Sequence, residues 1–220
     1  MMREQYEAQL RLLHREMVEM GSMCERAIAL AMEALDKNEP ELLEKVFEVD
    51  AGIDKKERDI ESLCLRLLLL QQPVAGDLRN VSAALKMISD MERIGDQASD
   101  IAEIGRTLLG QEGGQPEHLR EMAREAISMV NDSIDAFIRR DLELARSVIA
   151  YDDVVDRWFD RIREELVQRI KADSAQGAYC LDLFMIAKYL ERIADHATNI
   201  AEWVEYSITG VRSKDGVAPE

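Results

Sequence analysis

Glu92-Arg93-Ile94-Gly95-Asp96-Gln97-Ala98-Ser99-Asp100-Ile101-Ala102-Glu103 and Glu191-Arg192-Ile193-Ala194-Asp195-His196-Ala197-Thr198-Asn199-Ile200-Ala201-Glu202 are two versions of one segment. They lie 99 positions apart (92 to 191) and agree at eight of twelve residues. Upstream the separation is 102: Glu41-Leu42 matches Glu143-Leu144, Val46 matches Val148, Asp50 matches Asp152 and Asp54 matches Asp156. A three-residue difference between the second and third helices of each copy reconciles the two separations. Patterns that recur in the same order mark a duplicated structural unit.

The repeated segment is helical by its periodicity. On a helix, residues at i, i+4, i+8 and i+11 fall within about 80° of one another. Glu92, Asp96, Asp100 and Glu103 share such a face, as do Glu191, Asp195, Asn199 and Glu202. The opposite faces carry Met91, Ile94, Ala98 and Ile101, and Leu190, Ile193, Ala197 and Ile200. Each third helix therefore has an apolar face for the core and an acidic stripe directed away from it. The preceding helices repeat the design. Asp50, Asp54, Glu57 and Glu61 form one stripe, with Val49, Ile60, Leu63 and Leu67 towards the core. In the second copy Asp152, Asp156 and Asp160 run opposite Val154 and Trp158.

The rest of the chain agrees with an all-α fold. Its 220 residues include only 4 Pro and 11 Gly, too few for the turns of an all-β protein, while a hydrophobic share of 47% is too high for disorder. Pro is tolerated in the first turn of a helix and costs about 3 kcal/mol in its interior. Pro40, Pro73 and Pro116 accordingly separate helices expected at roughly 3–37, 41–71, 76–109, 117–139, 141–172 and 177–208. Asn38 is read as the N-cap of the second helix, with Pro40 in its first turn. Gln71–Asp77 must turn. Gly110-Gln111-Glu112-Gly113-Gly114-Gln115-Pro116 reads as a flexible connection. The expected organisation is two tandem three-helix bundles, 1–110 and 117–209, joined by a linker at 111–116 and followed by a flexible tail at 210–220.

Composition also excludes partners. With 28 Lys+Arg against 44 Asp+Glu the formal charge is −16, which opposes binding to nucleic-acid phosphates. The N-terminus is charged from the start, and the longest apolar run, Leu67–Leu70, is far short of the about 20 residues that cross a bilayer. A cytoplasmic protein without direct membrane insertion is expected. Cys24, Cys64 and Cys180 form no C-x-x-C pair and read as buried thiols. The methionines, Trp158 and Trp203 read as core and interface filler.

The acidic stripes carry the chemistry. Like charges at i, i+4 cost about 0.2–0.5 kcal/mol per pair, and a solvated acidic face is the ordinary explanation for one stripe. Two stripes per unit, on adjacent antiparallel helices, can face each other and then need a counter-charge. Arg93 and Arg192 are placed to neutralise a neighbouring helix. A polyvalent cation is the simplest alternative, and oxygen donors suit Mg, Mn or Ca, or iron and zinc held mainly by oxygen. His196 lies about 100° off its stripe and is as much a partner contact or a solvated residue as a ligand. Glu-x-x-His pairs of di-iron bundles are absent, as are a phosphate-binding G-x-x-x-x-G-K-[ST] loop and a G-x-S-x-G elbow. No enzyme and no organic cofactor are expected. A metal-storage or redox bundle, or a purely structural one, is the alternative class.

The chain resembles the PhoU family at Pro73-Val74-Ala75-Gly76-Asp77-Leu78-Arg79, at Glu92-Arg93-Ile94-Gly95-Asp96 and at Glu191–Ile200, a likeness extending over about residues 5–208. The resemblance implies two three-helix bundles side by side, often as a homodimer. It implies a negative regulator of the Pho regulon. Such a regulator couples a Pst-type phosphate transporter, through its PstB-like ATPase subunit, to a PhoR-like histidine kinase. Some members hold multinuclear metal clusters through E/D-x-x-x-D pairs. Carried over by position, the implied ligands are Asp50, Asp54, Glu92 and Asp96, then Asp152, Asp156, Glu191 and Asp195, with Asp100 and Asn199 continuing the stripes. The implied metal is iron, zinc, manganese or magnesium. Gly52 interrupts the first pair, and the second half lacks the Pro-Val-Ala-x-Asp-Leu-Arg turn.

Overall fold

The computed structural model describes residues 2–70, 75–111 and 113–211. Among the described residues there are six α-helices and no strand. They are α1 (Met2–Lys37), α2 (Pro40–Leu70), α3 (Ala75–Leu108), α4 (Glu117–Arg139), α5 (Leu142–Ala172) and α6 (Gly177–Thr209), with a 3₁₀ turn at Ser174–Gln176 before α6. The turn expected around Pro73 and the tail expected at 210–220 lie largely outside the described residues.

Helix ends follow local chemistry. Asp141 caps α5 by accepting a hydrogen bond from the Leu144 amide at 3.0 Å. Gly110 and Gly210 take φ of 77° and 81°, the left-handed conformation that ends a helix at low cost in glycine. Asn38 departs from its expected role. Its φ is 57°, so it terminates α1 instead of opening α2, and its Oδ1 accepts the Gly110 amide at 2.9 Å. An asparagine suits both positions, and only the distant Gly110 decides between them. The connection read as flexible is tied to the second repeat. Tyr179 donates its hydroxyl to Gly113 O at 2.6 Å, and Arg169 donates to the carbonyls of Gly114 and Gln115.

Within each repeat the three helices pack on one another, and the repeats join through α3 on α6 and α1 on α4. Helices α1, α3, α4 and α6 thus form the centre. Among the described residues helix α2 packs on α1 and α3, and α5 covers α4 and α6 of its own repeat. The predicted core faces of α3 and α6 are fully buried, as are Met17, Met20, Met87 and Met91. In α5 the core positions are Ala145, Val148, Val155, Ile162 and Leu166. Val154 is only half-buried, one position off the expected face.

The duplication is visible in side-chain contacts. Ser99 Oγ donates to Asp50 at 2.7 Å, and at the equivalent place Thr198 Oγ1 donates to Asp152 at 3.2 Å. Glu44 pairs with Arg106 at 2.5 Å, and the equivalent Arg146 pairs with Glu205 at 2.8 Å with the signs exchanged. Ser89 meets Glu57 where Lys188 lies over the Phe159 ring. One backbone scaffold carries two divergent sets of cross-links.

Candidate functional site

The acidic stripes do face each other across the grooves between α2 and α3 and between α5 and α6. In the first groove Asp50, Asp54, Glu92, Asp96 and Asp100 act on one another. Desolvation raises the Asp50 pKa above the usual carboxylate range; the Ser99 hydrogen bond opposes that rise, and Asp96, Asp54 and Asp100 add to it. Burial also raises Glu92, with further upward pushes from Asp96, Glu57 and Asp54 and a downward one from Arg93. Asp100 is raised by burial and then by Asp96 and Glu103.

Asp50 is half-buried. Oδ2 takes the Ser99 hydroxyl, whereas Oδ1 is buried with no hydrogen-bond partner. It can sit there because residue 95 is glycine: a Cβ at that point on α3 would stand 2.6 Å from Asp50 Oδ1 and 3.0 Å from the Ile53 side chain. Ala194 occupies the corresponding position in the second copy and is fully buried.

The second groove brings Asp152, Asp156, Glu191 and Asp195 together. Asp156 is raised by desolvation, then by Glu191 and Asp195; Asp195 is raised by desolvation, then by Asp152 and Glu191, with Lys188 and His196 acting downwards. Lys188 pairs with Glu191 on the same helix. A solvent-open cavity of about 330 Å³ is lined by Asp152, Arg192, Asp195, His196, Thr198 and Asn199. His196 turns out to be a contact between repeats: its Nδ1 lies 2.9 Å from Asp90 Oδ1, to which Asn199 Nδ2 also donates at 3.4 Å.

Two expectations about this region change. Arg93 neutralises its own helix, at 3.5 Å from Glu92 and 3.0 Å from Asp96, because its side chain folds along the stripe. Only Arg192 acts across, lowering Asp100 of the other repeat. Glu202, read as part of the acidic stripe, is 2% exposed. Ser99, Thr198, Gly95 and Asp90 were not singled out from sequence. The paired hydroxyls at equivalent positions of the repeat were the available signal for the first two.

Among the described residues no three His, Cys, Asp or Glu side chains converge to hold a metal ion. The groove donors are carboxylate oxygens, the donor type of a hard cation, whereas Asp50 Oδ1 is buried against α3 at Gly95. Cysteine donors are remote in character: all three thiols are buried, and burial pushes those of Cys24 and Cys64 up to about 12.

The family model of the PhoU domain matches residues 17–105 and 119–204, one match per repeat. A phosphate-specific transport system accessory protein PhoU homolog of Clostridium acetobutylicum is 38% identical over 212 residues, covering 96% of this chain and 97% of the relative. A protein of the same description from Pseudomonas aeruginosa is 36% identical over 94% of this chain and 86% of its own. The crystal structure of PhoU from P. aeruginosa superposes with a TM-score of 0.87 at 36% identity, covering 94% of this chain and all of that one. The phosphate transport system regulatory protein PhoU of Streptococcus pneumoniae gives 0.86 at 27% identity, covering 94% and 98%.

Proposed function

This chain belongs to the PhoU family, and we propose that it is a non-enzymatic regulator of phosphate uptake that works by docking its acidic grooves on partner proteins. The observation that carries this reading is likeness along nearly the whole length of both chains to accessory proteins of phosphate-specific transport, combined with one carboxylate groove between two helices of each repeat. An adaptor needs no catalytic residues. It needs surfaces whose affinity differs between states of its partners.

In the finer form of this proposal the partners are the cytoplasmic ATPase subunit of a Pst-type transporter and a PhoR-type sensor kinase, and the protein acts as a homodimer in the cytoplasm. Among the described residues no helix is long and apolar enough to cross a membrane, which suits a protein reaching the membrane through partners. The grooves work either bare or bridged by a cation. For a cation, Asp50, Asp54, Glu92 and Asp96 would hold it in the first repeat, and Asp152, Asp156, Glu191 and Asp195 in the second. It would supply positive charge where carboxylates repel. The test is deletion of the gene followed by a phosphate-starvation reporter in phosphate-rich medium. Expression should rise to the starved level, and an unchanged reporter would sink the proposal.

A further inference from the structure

On its other flank, where it packs on α4, helix α5 forms a cavity that the first repeat lacks the residues to form. Asn38 and Arg140 end α1 and α4 in the same left-handed conformation, with φ of 57° and 54°. They fix the register of the two copies at 102 residues (38 to 140) across this helix pair. Between α4 and α5 lies a half-open cavity of about 210 Å³, walled by Glu125, Ser128, Asp132 and Tyr151. Its floor is Met129 and Val148, which are 2% and 3% exposed. Tyr151 donates its hydroxyl to Glu125 Oε2 at 2.8 Å, and Ser128 donates to Asp132 at 3.5 Å. Arg157 acts on the Tyr151 hydroxyl from α5 but forms no ion pair with either acid. In the first repeat the equivalents of Glu125, Asp132 and Tyr151 are Met23, Leu30 and Val49, all packed against the core. Arg26 and Lys45 stand there for Ser128 and Ser147. One copy is therefore apolar with a basic rim, and the other is open and acidic.

We propose that the α4/α5 cavity is an anchor pocket for an arginine side chain of a partner protein. The aliphatic stem lies on Met129 and Val148, and the guanidinium sits between Glu125 and Asp132 beside the Tyr151 ring. Three physical grounds carry this. The cavity is smaller than the roughly 300–1,000 Å³ that encloses a whole small molecule, so it takes one long side chain and leaves the rest of the ligand outside. An arginine seated in a pocket on a larger body is a common interface anchor. The two acids stand seven residues apart on α4, about 10 Å along its axis, and the guanidinium offers five donors and a plane that stacks on a tyrosine ring. The inference goes beyond the acidic grooves and rests on the adaptor reading only in requiring a partner.

The experiment titrates the full chain with the capped peptide Gly-Ser-Arg-Ser-Gly and follows its assigned backbone amide resonances. Saturable shifts should appear along α4 and α5 around the cavity, with a roughly millimolar Kd for a single anchor residue. The analogue with uncharged citrulline should give none, and the lysine analogue should bind about threefold or more weakly. Glu125→Gln plus Asp132→Asn should weaken binding about tenfold, with unchanged helical circular dichroism. Glu125→Met plus Tyr151→Val, which installs the residues of the first repeat, should abolish it. Glu41→Gln plus Glu48→Gln, which removes the same charge from exposed positions on α2, should leave binding within about twofold of the parent. No saturable shift, shifts centred on the α2/α3 or α5/α6 groove, or equal losses in the two double-amide variants would overturn the pocket. Equal binding of the lysine peptide would overturn its assignment to arginine. The binding is read on the chain alone, so its failure leaves the deletion test of phosphate regulation untouched.

Discussion

Asp50 is held where an ionised carboxylate is least comfortable, half-buried and facing three other acids, with one oxygen unpartnered. Asp50→Asn keeps an acceptor for Ser99 and removes the charge. In chelator at pH 7 it should raise stability by about 1 kcal/mol, the sum of three like-charge contacts of about 0.2–0.5 each. That is a rise of about 2–4 °C in Tm for a chain of this size. A carboxyl raised by the fold binds its proton more tightly in the native state, so ionising it costs stability as pH rises through the raised value. The gap in Tm between Asp50→Asn and the parent should therefore be widest at neutral pH and close as pH falls towards the unfolded carboxylate value near 4. A thermal melt series in chelator reads this, and a gap independent of pH would contradict it. The stripe that contains Asp50 is legible in the i, i+4 spacing of acids. Its depth is not, because that depends on a missing Cβ on another helix.

At the level of the elements, two glycines of the first groove behave oppositely. A Cβ at Gly52 would meet only the methyl end of Met23, at 2.6 Å, which can swing aside. Gly52→Ala should therefore gain up to about 1 kcal/mol from helix propensity, seen as a higher Tm, whereas a fall would mean that Met23 is fixed. The exchanged ion pairs between outer and inner helices differ as well. Glu44 and Arg106 are 63% and 49% exposed, while Glu205 is 7% exposed beside Arg146. Arg146→Ala should cost about 1.5–3 kcal/mol in urea unfolding. Glu44→Ala should cost about 0–1, as exposed pairs do. Equal losses would show that burial of Glu205 does not matter. Helix positions were readable from the prolines and the repeated apolar spacing, and all six lie close to their expected spans. What was not readable were contacts fixed by an element far along the chain. Asn38 answers to Gly110, Arg93 folds onto its own helix, and Glu202 is buried although its spacing places it on the stripe.

For the whole molecule, the duplication and the formal charge of −16 belong together. Packing α3 on α6 and α1 on α4 sets the two repeats as one body, with a close approach at Gly21, where a Cβ would meet the Ile134 side chain at 2.3 Å. The outer helices α2 and α5 then each form an acidic groove with an inner helix. Repetition made the duplicated bundle legible in sequence, whereas the joining of repeats was not, since α3 and α6 bury residues that would equally suit separate bundles. The central claim is that the groove carboxylates are the surface through which phosphate uptake is regulated. The direct measurement is complementation of the deletion strain with a chain whose Asp54, Glu92, Asp96, Asp156, Glu191 and Asp195 are replaced by their amides, its helical fold checked by circular dichroism. The reporter of phosphate starvation is read in phosphate-rich medium. The account predicts that the parent chain restores repression and the amide chain does not; full repression by the folded amide chain would contradict it.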